Sequence, residues 1–194
     1  MNKYLPLICG IEGSEISEPE IQFIKEFNPW GIIIFDRNCK SENQLSELTD
    51  SLKAVTHEDL PIIIDQEGGR VQRFKNEFSH IPSMQEISLY AKENNDMEIF
   101  TDLAWLISSE LMAFGIDINF APVLDVDEKT SSIIGDRAFS NNVSEVISYT
   151  SKYIDGMHDA GMRSTGKHFP GHGNVYEDSH LQLPIDDRSI EDLI

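Results

Sequence analysis

The sequence predicts an α/β fold of the (β/α)8, or TIM, barrel type, and three observations carry that expectation. Short apolar runs rich in β-branched residues alternate with stretches of helical periodicity. The runs are apolar throughout, as in strands buried on both faces of a parallel sheet. A polar or charged cluster then follows each run: Asp36 and Arg37, Asp65 to Arg73, Asp125, and Lys167 to His172. A barrel builds its site from those strand ends. A doubly wound sheet also gathers ligands there, at a switch point, and stands as the alternative. The EGGR after the third run does not match a GxGxxG fingerprint, so no dinucleotide, and no other cofactor, is implied.

The elements follow in order. LPLICGI (5–11) reads as a first buried strand, ended by Glu12-Gly13. SEPEIQFIKEF (17–27) reads as a helix, with Ser17 as N-cap, Pro19 in the first turn and apolar residues at 21, 23, 24 and 27. GIIIF (31–35) is the second strand, and a helix pattern runs from 41 to 55. PIIIDQ (61–66) repeats the strand signature. Residues 96–114 are helical, with Leu103, Leu106, Ile107, Leu111 and Phe114 on one face. IDINFAPVLDV (116–126) is the fourth strand, 143–160 a further helix, and MRSTGKHF (162–169) the fifth strand. A closed barrel of this type takes about 250 residues. The 194 residues supply about five of the eight units and end in what reads as a sixth crossover. Either residues 1–194 form the N-terminal part of a single barrel domain, without its C-terminal strands, or the fold is not a closed barrel. Two open sheet edges would invite self-association.

Composition narrows the partners. Fifteen Lys and Arg against 34 Asp and Glu give a formal charge of −19, which argues against nucleic acid and anionic membrane. The acid falls mostly on helix faces such as SENQLSELTDSLKAVTHEDL, where it keeps the surface solvated. Cys9 and Cys39 sit in or beside apolar runs, which fits a reducing compartment better than a disulfide framework. The N-terminal apolar run is short and interrupted by Pro6, unlike a signal peptide. No stretch approaches the roughly 20 apolar residues of a membrane span. The expected compartment is the cytoplasm.

The segment GKHFPGHGNVYEDSH (166–180) concentrates the chemistry. His168 and His172 are four apart, as on one helix face, but Pro170 and Gly171 between them oppose a helix. The spacing matches no usual zinc pattern, so no metal is expected. Lys and His at a strand end, with turn glycines beside them, suit an anionic or polyhydroxylated ligand; a plain polar loop remains the alternative. Asp178 stands two residues from His180, where a carboxylate can orient an imidazole and favour its charged form. Such a histidine can donate a proton near neutral pH.

Four segments together resemble the glycoside hydrolase family 3 β-N-acetylglucosaminidases of the NagZ type. They are PIIIDQEGGRVQRF (61–74), INFAPVLDV (118–126), IGDRAFS (134–140) and GKHFPGHG followed by DSH (166–180). The resemblance implies sugar-binding roles for Asp65, Arg73, Arg137, Lys167 and His168. It implies that His180 is the proton donor and Asp178 the carboxylate that tunes it. Glu67 and Arg70 are expected only to support those residues, and His172 to support its loop. The implied activity is release of terminal β-linked N-acetylglucosamine from peptidoglycan (muropeptide) fragments, by a retaining two-step mechanism. Transfer to phosphate is a variant within the resemblance. The family's nucleophile is an aspartate on a later strand-end loop, and no residue here matches it. The 194 residues alone are accordingly expected to be inactive or nearly so, and a non-catalytic, sugar-binding remnant is the competing reading.

Overall fold

The computed structural model describes residues 4–55, 60–76, 78–128 and 131–192. Five strands pair in sequential order: β1 (Leu5–Gly10), β2 (Pro29–Ile34), β3 (Ile62–Ile64), β4 (Ile118–Asn119) and β5 (Arg163–Ser164). Every pairing is parallel. A doubly wound sheet would reverse its strand order at a switch point. The consecutive order instead gives all crossovers one hand and puts the helices on one face. This is barrel-type winding, and β1 and β5 are its two edges.

The helices are α1 (Glu18–Phe27), α2 (Glu42–Val55), α3 (Met84–Asn94), α4 (Ile99–Ala113) and α5 (Val143–Asp159). Period-two alternation splits the strands into two faces. Ile32, Ile34, Ile62 and Ile64 turn toward the helices and are buried with Leu45, Leu48, Leu52, Ile107, Leu111 and Tyr153. Ile33 and Ile63 lie on the opposite face, and Ile63 too is fully buried. α4 and α5 approach so closely that a Cβ on Gly156 would stand 2.1 Å from the Thr101 carbonyl oxygen.

Three features differ from the sequence reading. Leu5, Leu7 and Ile8 are 37–43% exposed, although 5–11 reads as a buried strand. The reason is position: among the described residues β1 pairs with β2 alone and is an edge of the sheet. Second, a helix not foreseen in the sequence, α3, precedes α4. Its capping box is well formed: Ser83 Oγ accepts from Glu86 N–H at 3.3 Å, and Glu86 Oε2 accepts from Ser83 N–H at 3.0 Å. Third, β4 and β5 are only two residues each, although 116–126 and 162–169 read as full strands. Pro122 has no N–H to donate to a ladder. The two chains nonetheless stay side by side past it. Thr165 N–H donates to the Ala121 carbonyl at 2.9 Å, Lys167 N–H to the Pro122 carbonyl at 3.2 Å, and Val123 bridges Lys167. That irregular extension carries Asp125 and His168 to the same end of the sheet.

Candidate active site

After β3 the chain must fold back tightly to return its side chains over the strand ends. Gly68 and Gly69 make this turn with φ of +102° and +52°, a region that disfavours L side chains. A Cβ on Gly68 would also lie 2.8 Å from the Pro82 carbonyl oxygen. The turn is closed by Glu67 N–H to the Val71 carbonyl (2.8 Å) and Val71 N–H to the Gly68 carbonyl (3.0 Å). Gln66 is buried and pinned from both sides: its N–H donates to Asn119 Oδ1 at 2.9 Å, and its Oε1 accepts from Phe74 N–H at 2.9 Å. Asp65, Glu67 and Arg73 are thus aimed by a fixed backbone.

The carboxylates and cations that meet there form one network. Arg73 Nη2 donates to Asp65 Oδ2 at 3.0 Å, and Lys167 Nζ pairs with both Asp65 and Glu67. Arg137 grips Glu67 at two points, Nε to Oε2 at 2.7 Å and Nη2 to Oε1 at 2.6 Å. Its Nη1 donates to the Ile133 carbonyl at 3.0 Å. Burial pushes the Asp65 carboxyl up, but the Lys167 ammonium and the Arg73 guanidinium outweigh it and hold the group below the usual carboxylate range. Two carboxylates, Asp65 and Glu67, therefore face three cations, Arg73, Arg137 and Lys167.

A second cluster stands beside the first. Asp125 is buried and accepts from three donors: the His168 ring Nδ1 at 2.6 Å, His168 N–H at 3.3 Å and His172 N–H at 2.6 Å. Burial again raises this carboxyl, and the hydrogen bonds from His168 and His172 more than reverse the shift. An ionised carboxylate only accepts, so the His168 proton belongs on Nδ1. The Nε2 atom is then the one His168 can offer a ligand. His172 is buried edge-on to His168, ring centroids 5.8 Å apart, with neither ring nitrogen hydrogen-bonded among the described residues.

The sequence-predicted residues therefore fall in three places. Asp65, Arg73, Lys167 and Arg137 converge on one network, with His168 adjoining it through the Lys167 backbone. Asp178 and His180 lie further along the loop after β5. Asp178 Oδ1 accepts from His180 Nδ1 at 2.7 Å and from His180 N–H at 2.9 Å. Those two bonds lower the Asp178 carboxyl, its backbone N–H partner first. The His180 side chain is 84% exposed, and no hydrogen bond joins it to the Asp65 network among the described residues. Glu67 and Asp125 hold the two clusters together, yet Glu67 reads in sequence only as a supporting residue and Asp125 only as a polar strand end. The available signal was a carboxylate directly beside apolar strand residues, which survives only with buried partners.

An open cavity of about 410 Å³ adjoins the clusters, lined by Asp125, Lys167, His168, Phe169, Asn174 and Arg188 among others. Phe169 is 97% exposed beside it, an aromatic face of the kind that can stack on the apolar side of a sugar ring. Carboxylates and planar guanidinium donors at this spacing can fork onto adjacent hydroxyls. Among the described residues no three His, Cys, Asp or Glu side chains are placed to share a metal ion, and no helix is long and apolar enough to cross a membrane.

Singly wound parallel strands with an ionised carboxylate–cation network at their C-terminal ends define a barrel-type protein with a polar ligand site. More specifically, the chain belongs to glycosyl hydrolase family 3: residues 8–194 match that family's N terminal domain. It is 45% identical over 188 residues to a beta-hexosaminidase of Tolumonas auensis, a match covering 97% of this chain and 55% of that protein. It is 46% identical over 187 residues to a beta-hexosaminidase of Idiomarina loihiensis, covering 96% and 56%. Among solved structures it resembles NagZ from Neisseria gonorrhoeae in complex with N-trifluoroacetyl-D-glucosamine. The TM-score is 0.92 at 37% identity, over 98% of this chain and 57% of that one. The chain thus spans about half the length of the curated relatives it matches.

Proposed function

We propose that residues 1–194 supply the sugar-binding and proton-donating half of a retaining β-N-acetylhexosaminidase. The substrate is terminal β-linked N-acetylglucosamine on peptidoglycan (muropeptide) fragments, and the compartment is the cytoplasm. The observation that carries this reading is the Asp178–His180 pair, 2.7 Å apart on the loop that follows Lys167 and His168. With Nδ1 bonded to an ionised carboxylate, His180 has Nε2 left to hold the transferable proton.

In this mechanism Asp65, Arg73, Arg137, Lys167 and His168 form the sugar-binding set. An aspartate from outside these residues attacks the anomeric carbon. The bond to the leaving oxygen breaks as His180 Nε2 gives that oxygen its proton. Water then attacks the glycosyl-enzyme ester and returns a proton to His180, which restores both groups. The relatives' beta-hexosaminidase names and the family assignment support the chemistry at this level. The open edges of β1 and β5 support association with a second copy or with further strands.

The test uses the 194-residue chain with p-nitrophenyl N-acetyl-β-glucosaminide. Saturable binding of N-acetylglucosamine with no turnover above background is expected. Turnover comparable with that of the relatives would show that the nucleophile lies within residues 1–194. Failure to bind the sugar would overturn the site.

A further inference from the structure

A second cavity, of about 380 Å³, lies between the segment after β2 and the segment after β3. Its lining includes Lys40, Arg70, Arg73 and Lys75, against a single carboxylate, Asp36. The chain has 34 acidic and 15 basic residues, so four cations around one hollow run against its composition. Arg73 and Arg70 already have carboxylate partners: Asp65 at 3.0 Å and Asp136 at 3.3 Å. Lys40 and Lys75 have none among the described residues. Ser41, the residue immediately before α2, also lines the hollow. The 14-residue helix adds its positive end there.

We propose that this cavity is a phosphate-group subsite. Arg73 lines it and also reaches the Asp65 cluster, so the phosphate belongs on a saccharide that spans both. That placement rests on the sugar-binding reading given above. A phosphate group carries about −1.5 to −2 charges at pH 7 and three strong acceptor oxygens. It can therefore be met at once by Lys40 and Ser41 from one wall and by Lys75 and Arg70 from the other. A carboxylate has two oxygens to share among those side chains, against three on a phosphate group. Asp36 opposes the anion, and Lys40 and Lys75, the two cations not already paired with a carboxylate among the described residues, outnumber it.

The experiment titrates the 194-residue chain, followed by amide NMR, with three probes: inorganic phosphate, N-acetylglucosamine and N-acetylglucosamine 6-phosphate. Inorganic phosphate should shift the amides around Lys40, Ser41 and Lys75 saturably. The phosphorylated sugar should bind at least tenfold more tightly than N-acetylglucosamine. A Lys40→Gln, Lys75→Gln double variant should lose both effects. These lysines are exposed and have no carboxylate partner among the described residues, and a thermal melt checks that the variant folds. No saturable phosphate shift, or one unchanged in the double variant, overturns the subsite. Equal affinity for the two sugars while free phosphate still binds overturns the assignment to a phosphorylated saccharide. Binding of phosphate without any binding of N-acetylglucosamine would leave the subsite standing and remove the sugar reading instead.

Discussion

Arg137 clasps Glu67 through two hydrogen bonds, at 2.7 and 2.6 Å, joining residues 70 apart in sequence. Both side chains are nearly closed to solvent, Arg137 at 10% and Glu67 at 3%. Burial lowers the Arg137 guanidinium and Glu67 raises it further, so it stays charged. Every nitrogen group of Arg137 is engaged, on Glu67 and on the Ile133 carbonyl. Its contribution in this structure is to hold Glu67, which in turn meets Lys167.

Removing one partner of such a pair strands the other charge. Glu67→Ala is expected to cost about 3–5 kcal/mol, the scale for breaking a buried ion pair. Urea unfolding measures it. A loss below about 1 kcal/mol would show that water enters the site and screens the pair, as at an exposed surface.

The two depressed carboxylates set the acid response. Asp65 and Asp125 sit below their ordinary range when folded and return to about 3.9 when unfolded. Between those values the unfolded chain binds more protons, so their contribution is complete above about pH 4. It is lost as pH falls through the folded values. Asp125→Asn is therefore expected to be less stable than the parent at pH 7, with the gap narrowing as pH falls below about 4. Urea midpoints across that range decide it. A gap independent of pH would mean that packing, and not the charge on Asp125, accounts for the loss.

The sequence carried the helices and the site position further than it carried the strand lengths. Helical periodicity over 41–55 and 143–160 corresponds to α2 at Glu42–Val55 and α5 at Val143–Asp159. Local spacing governs a helix, so local reading succeeds. α3 escaped because its buried face is Met84, Ile87, Ser88 and Ala91, half of it small or polar. Its Ser83 and Glu86 are a capping signature, which is the signal that could have revealed it. The apolar run 116–126 overstated β4 because strand length depends on what the neighbouring chain can pair, and Pro122 interrupts that pairing. In the site, strand-end position marked the clusters that hold Asp65 and Lys167, and only the family resemblance singled those two residues out. The partnership of Glu67 with Arg137 was not legible, because only the closed turn at Gly68–Gly69 and the later loop bring them together.

Gly156 sets the spacing of α4 and α5. Alanine there would gain about 1 kcal/mol of helix propensity over glycine. Its Cβ would also fall 2.1 Å from the Thr101 carbonyl oxygen, a contact that backbone must move to relieve. Overpacking of this kind costs about 1–3 kcal/mol. Backbone is less forgiving than a side chain, so the clash is expected to win. Gly156→Ala should lower stability by up to about 2 kcal/mol after both effects. A stabilised variant would mean the two helices can slide apart freely.

The exposed imidazole of His180 gives the sharpest functional contrast. In a protein that includes the aspartate-bearing strand, His180→Ala should slow substrates with poor leaving groups by about 10²–10⁴-fold, the range for general acid catalysis. A p-nitrophenolate leaves without a proton, so its first step should slow much less. Asp178→Asn keeps the side-chain shape but removes the charge that orients the ring, and should show the same leaving-group bias in weaker form. Equal losses on activated and unactivated substrates would assign His180 to binding or folding and leave the proton donor elsewhere. The bias is expected because the Asp178–His180 bond fixes only Nδ1, so the ring's remaining nitrogen is available for the leaving oxygen.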